Sequence, residues 1–175
     1  DIAAVANATG TDANANASLS ESVVYQSASA NGGGDASVTL TNSGAISLTA
    51  DAAGVADNFA DVSATASSAI SQNAFAGGGG NASASLTNNT GATLDITATG
   101  NATGDTAYAD ASVSEGIYQS ASATGGGNAT VTLTNSGTIN ITADATANGG
   151  AGADVLGFAA SANATVNTAI SQNAT

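Results

Sequence analysis

Lysine, arginine and histidine are absent from this sequence, and its 13 aspartates and glutamates leave a net charge of −13. Nothing in it can neutralise phosphates or anionic headgroups, so nucleic acid and anionic membrane surfaces are excluded as partners. The same absences empty most of the catalytic inventory. No His or Lys moves a proton, no Cys attacks, and no Arg or Lys holds an oxyanion. Carboxylate pairs of the glycosidase kind remain chemically open, but the acids are scattered, and with three Tyr, three Phe and no Trp, aromatic sugar platforms are scarce. We read the chain as not an enzyme. The lack of Cys fits either redox compartment, whereas the lack of Lys and Arg removes every trypsin site and suits a secreted, extracellular setting. No apolar run approaches the roughly 18 residues of a membrane-spanning helix, so no membrane insertion is expected. No signal peptide is present in these residues, and a secretion signal is expected outside them.

What is present is small and polar. The apolar fraction is 42% and mostly alanine, so any core has to be thin, and one elongated domain is expected rather than several globular ones. Disorder is the other reading of a chain rich in Gly, Ser, Asn and Ala, but a sustained alternation opposes it. In residues 35–52, DASVTLTNSGAISLTADA, the apolar residues Ala36, Val38, Leu40, Ile46, Leu48, Ala50 and Ala52 fall on even positions with Ser, Thr and Asp between them. Residues 128–145, NATVTLTNSGTINITADA, repeat the pattern. This is strand alternation with one face buried. The phase is kept through Thr-Asn-Ser-Gly, which favours a corner between two strands over a tight hairpin, although Asn and Gly suit both.

Two landmarks set the period. Thr41-Asn42, Thr87-Asn88 and Thr134-Asn135 recur at intervals of 46 and 47, and Gln26, Gln72, Gln119 and Gln172 at 46, 47 and 53. A fixed period of roughly 20–50 residues marks a stacked repeat architecture. Each unit has a glycine tract, a first strand ending at Thr-Asn, and a second strand (46–52, 94–98 or 139–145). A variable loop (54–59, 99–106 or 148–158) and a third, longer strand ending at the glutamine (62–72 or 164–172) complete it. With no helical periodicity, the expectation is an all-β parallel β-solenoid (β-helix) of about four stacked repeats of 46–47 residues, three strands in each. The repeats span 1–40 (partial), 41–86, 87–133 and 134–175 (partial). The single glutamine landmark favours one coil per repeat. Units one and three are more alike than neighbours are, so the evolutionary unit is read as a doublet. The sequence starts and stops inside a repeat, from which we expect a window of a longer array or a protomer completed by its neighbour.

Stacking gives the candidate residues their roles. Gln26, Gln72, Gln119 and Gln172 are expected to form an amide ladder, and Asn42, Asn88 and Asn135 a second one at the corner. Ser37, Thr39, Thr41, Ser83, Ser85, Thr87, Thr130, Thr132 and Thr134 are expected on an outward face. This array is similar to the ice-binding faces of β-solenoid antifreeze proteins, while the plainer reading is the β propensity of Thr on a solvated strand. A carboxylate repeated at every level would set like charges about 5 Å apart. Most acids avoid this: Asp35 aligns with Asn81 and Asn128, and Asp51 with Thr99 and Asp144, whereas Asp61 and Asp110 align with each other. No cofactor is expected. Calcium is the one metal to weigh, because oxygen ligands are all the chain offers. Asp57, Asp61, Asp105 and Asp110 are its candidates, and Gly32-Gly33-Gly34-Asp35 weakly resembles the glycine-aspartate nonapeptides of calcium-binding β-rolls, though with different spacing. Nine Asn-x-Ser/Thr sequons, at Asn7, Asn16, Asn81, Asn88, Asn101, Asn128, Asn140, Asn163 and Asn173, fit surface glycosylation but also arise from any strand alternating Asn and Thr.

The recurring LTNSG followed by Ala or Thr and Ile, the ITADA after it, and the Ile-x-Gln motif closing each unit resemble the repeat regions of large secreted bacterial surface proteins, the haemagglutinin-like and autotransporter-passenger β-solenoids. The likeness covers essentially all 175 residues and specifies architecture more than activity. It implies surface display, adhesion or fibre formation, with the chain itself as partner, head to tail or within a longer array. No autotransporter barrel or adhesive tip lies in these residues. Ice or glycan binding through the Ser/Thr face and a calcium-ordered β-roll are the alternatives.

Overall fold

The computed structural model describes residues 1–20, 22–150 and 159–175. They form eleven strands and no helix: β1 (Ile2–Leu19), β2 (Val24–Ala30), β3 (Ala36–Asn42), β4 (Ala45–Ala66), β5 (Ile70–Ala76), β6 (Ala82–Asn88), β7 (Thr93–Gly104), β8 (Thr106–Ala123), β9 (Ala129–Asn135), β10 (Thr138–Gly149) and β11 (Ala160–Ala174). All pairings among them are parallel, and they join strands one sequence period apart. One sheet has eight strands, with β10-β7-β4-β8-β5-β2 as its main path and β1 and β11 added on β4 and β8; the other is β3-β6-β9. The fold is therefore all-β with parallel sheets, compatible with a β-helix.

The period in the sequence is the register in space. Ile2 pairs with Leu48, Leu48 with Ile96 and Ile96 with Ile141. Ala17, Ala64, Ala111 and Ala164 form another such column. Thr-Asn-Ser-Gly is a corner: β3 lies in the small sheet and β4 in the large one, with only Ser43 and Gly44 between them. No antiparallel hairpin is formed there.

Burial follows the alternation. Leu48, Ala50, Ala52, Val62, Ala64 and Ala66 of β4 are fully or almost fully buried, with half-buried or exposed residues between them. Two apolar clusters result. The larger one contains every buried Leu and Ile, among them Leu86, Leu94, Ile96 and Ile117. The smaller, between β2-β5-β8 and β3-β6-β9, is alanine apart from Val38 and the half-buried Val131. Small side chains suit this closely packed part of the interior, which fits the weight of alanine in the composition.

The breaks between strands differ from those expected. Residues 54–59 are not a loop but part of β4, and of residues 99–106 only Asp105 lies outside a strand. Asn148 and Gly149 belong to β10, and residues 151–158 of the third expected loop lie outside the described residues. Length differences are absorbed as bulges instead: the β1–β4 register slips between Gly10 and Asp12, opposite the exposed Asp57, Asn58 and Phe59. A bulge bends a strand without ending its pairing. Here the bend is sharp, since a Cβ on Gly54 would lie 2.7 Å from Val62 Cγ2 of the same strand. Conversely, the third strand expected at 62–72 is interrupted. β4 stops at Ala66 and β5 starts at Ile70 because Ser68 takes a left-handed φ of 47°, while the equivalent stretch of β8 runs through unbroken.

Candidate functional site

With no His, Lys, Arg or Cys in the sequence, the candidate site is the set of polar columns that the register creates. Each glutamine follows an inward-facing Ile or Val by two positions, so alternation points it inward as well. Gln26 pairs with Gln72, Gln72 with Gln119 and Gln119 with Gln172. The amides are linked in one direction: Gln72 Nε2 donates to Gln26 Oε1 at 2.7 Å, Gln119 Nε2 to Gln72 Oε1 at 2.7 Å, and Gln172 Nε2 to Gln119 Oε1 at 2.9 Å. The sequence does not indicate a further bond that three of them make. Gln26, Gln72 and Gln119 also donate to the carbonyls of Thr39, Ser85 and Thr132, thirteen residues on and in the other sheet. Gln72 and Gln119 are fully buried. The column thus holds the two sheets together along the alanine-filled, narrow part of the interior.

The corner asparagines run the other way. Asn42 Nδ2 donates to Asn88 Oδ1 at 2.9 Å, and Asn88 Nδ2 to Asn135 Oδ1 at 2.8 Å. The same amides reach the next period's backbone, Asn42 to Thr93 O at 2.7 Å and Asn88 to Thr138 O at 2.9 Å. Asn42 Oδ1 and Asn135 Oδ1 accept from the N–H of Gly44 and Gly137, closing the turn locally. Among the described residues no buried side-chain nitrogen or oxygen lacks a partner.

The Ser/Thr positions form a three-by-three array on the small sheet: Ser37 with Ser83 and Thr130, Thr39 with Ser85 and Thr132, and Thr41 with Thr87 and Thr134. The β3 and β9 members are exposed and those of β6 half-buried.

The carboxylates are staggered. Asp61 is not opposite Asp110, contrary to the expected alignment. Phe59 pairs with Thr106, and this fixes Asp61 against Tyr108 and Ser63 against Asp110. Asp51 and Asp144 are separated by Thr99. Asp95 accepts from Asn140 Nδ2 at 2.6 Å, and Asp35 Oδ1 accepts from the Asn81 N–H at 2.7 Å. In the described registers no carboxylate faces another. Asp57 is on the β4 bulge, Asp105 at the bend before β8, Asp61 on β4 and Asp110 on β8. Among the described residues no group of three or more acidic side chains is placed to hold a metal ion, and the described residues enclose no pocket. Near the glycine tract, Asp35 is engaged by the Asn81 amides and Asn81 by those of Asn128. Of the sequon asparagines, Asn88 is fully buried in the corner, and the other eight are exposed.

No family model, curated protein or solved structure matches the chain.

Proposed function

We propose that the chain is a structural, self-associating segment of a secreted extracellular fibre or adhesin stalk. It is a parallel β-solenoid of about four stacked repeats (1–40, 41–86, 87–133 and 134–175) that associates end to end, head to tail with itself or within a longer array. The observation that carries this reading is the glutamine column, four side chains hydrogen-bonded in one direction through the interior. Such a column has no intrinsic end, because each level presents to the next the group it received from the previous one. Edge strands in soluble proteins are normally blocked by Lys, Pro or a covering element, and this chain has no Lys or Pro. Strong negative charge opposes lateral clumping, leaving growth along the stacking direction. The residue inventory supports a non-catalytic role, and the absence of basic residues supports display outside the cell. Electron microscopy and sedimentation of the purified chain test the proposal: filaments lengthening with concentration are expected, and monodisperse particles across the accessible range contradict it.

A second reading rests on the Ser/Thr array. Its nine outward hydroxyls, spaced by two residues along each strand and by one strand spacing across, suit an ordered water or sugar surface. Thermal hysteresis that is lost in Thr132→Tyr supports this reading, and its absence removes the ice-binding form.

A further inference from the structure

We infer that the growing contact has a single register and a single polarity, with β1 and β2 of a second copy of this chain docking on β10 and β11 so that Gln26 lies over Gln172. This rests on the end-to-end reading above and specifies its partner surface. The polarity comes from the ladder. At one end Gln172 spends its Nε2 on Gln119, which leaves Oε1 as the acceptor facing outward. At the other, Gln26 Oε1 is taken by Gln72, and Nε2, with one hydrogen on Thr39 O, keeps a second one to donate. A copy added head to tail sets donor against acceptor. Head to head it sets amide hydrogens against amide hydrogens, and tail to tail, oxygen against oxygen.

The register comes from the columns. Continuing each by one level places Leu19 over the 40% exposed Val166, Val24 over the 43% exposed Ile170, and Ile2 over Ile141. Apolar residues exposed at the open edges are thereby covered by apolar ones. Charge agrees. Asp144 is the sole carboxylate on β10 and β11, and its column brings Val5 to it; Asp12, the sole carboxylate on β1 and β2, belongs to the column of Phe59 and Thr106. A slip of one residue along the strand turns every apolar side chain outward. The contact is carried by the large sheet, which contains β1, β2, β10 and β11, and the repetition of one heterologous contact yields a filament.

The chain has no native cysteine, so introduced pairs report the contact directly. In this register Ser18 lies over Thr165 and Asn16 over Asn163, about 4.8 Å apart and within disulfide reach. The crossed pairs, Ser18 with Asn163 and Asn16 with Thr165, are about 8 Å apart. Within one molecule Ser18 and Thr165 are three strand spacings apart, about 14 Å, so a bond between them has to join two molecules. The variants Ser18→Cys/Thr165→Cys and Asn16→Cys/Asn163→Cys are oxidised under assembly conditions, with native β circular dichroism as the folding check. Either one that folds is expected to give a ladder of covalent multimers on a non-reducing gel, with at least tenfold less product from the crossed combinations. Equal yields from crossed and matched pairs, or efficient covalent dimers from Ser18→Cys alone, overturn the register or the polarity while leaving filament formation standing. No covalent product together with monomeric sedimentation overturns the end-to-end reading as well.

Discussion

The glutamine column and the asparagine corner are built from the same amide chemistry and hold different things together. Gln72 and Gln119 each donate backward along the column and sideways to a carbonyl of the opposing sheet, and Gln26 makes the sideways bond. Each of Asn42 and Asn88 donates forward, both to the next asparagine and to the next period's backbone. The first closes a cross-section of the molecule, and the second joins one period to the next. Their settings differ too. Gln72 is bonded to the buried Gln119 and the half-buried Ser85, whereas the Asn88 partners Asn135 and Thr138 are exposed. Water can replace a partner lost at the corner far more readily than one lost in the interior.

The largest effect that separates the two is expected from Gln72→Leu. It strands an acceptor on Ser85, a donor on Gln119 and an acceptor on Gln26. At about 1–3 kcal/mol for each buried group left unpaired, the loss is on the order of 4 kcal/mol, measured by denaturant unfolding followed by circular dichroism. Asn88→Ala removes bonds to Asn42, Asn135, Thr138 and, at 3.5 Å, Ala92, but Asn135 and Thr138 are exposed and Asn42 keeps its bond to Thr93, so a loss of about 2 kcal/mol is expected. Equal losses would erase the distinction between interior staple and corner. Next comes Thr99→Asp, which fills the gap between Asp51 and Asp144 and makes three carboxylates face one another. Two like-charge cross-strand contacts cost about 1–2 kcal/mol at low salt, and the deficit should shrink above about 0.5 M NaCl as the charges are screened. Gln172→Leu is the smallest for the folded chain, about 1 kcal/mol, because Gln172 itself is exposed and a single acceptor, Gln119 Oε1, loses its donor. Its effect falls on filament growth, scored by light scattering. Chelation is expected to leave the β circular dichroism unchanged, since the candidate acids do not converge.

Much of this arrangement was legible in the sequence for one reason: a parallel register converts period into position. Once Gln26, Gln72, Gln119 and Gln172 recur at near-constant spacing, the pairing partner of each is set. Alternation likewise assigned Leu48, Ala50 and Ala52 to the interior. What stayed hidden were features that leave no trace in period or phase. The bend at Asp57 to Phe59 keeps Ala56 and Ala60 both inward, so the sequence reads as a loop although pairing continues. The break at Ser68 depends on one backbone angle at a residue of ordinary type. Counted back from Gln72 and Gln119, Asp61 falls opposite Tyr108, and the strand register follows that count through Phe59 and Thr106, so the alignment of Asp61 with Asp110 fails by two residues. The reach of each glutamine to a carbonyl thirteen residues on depends on how near the two sheets approach, a distance that alternation does not encode.

X-ray diffraction from oriented filaments of the chain bears most directly on growth by strand stacking. A reflection at about 4.8 Å is expected along the filament axis, because successive strands are added in that direction. The same reflection lying across the axis would mean that the molecules associate by their sides, and it would contradict growth through the open sheet edges.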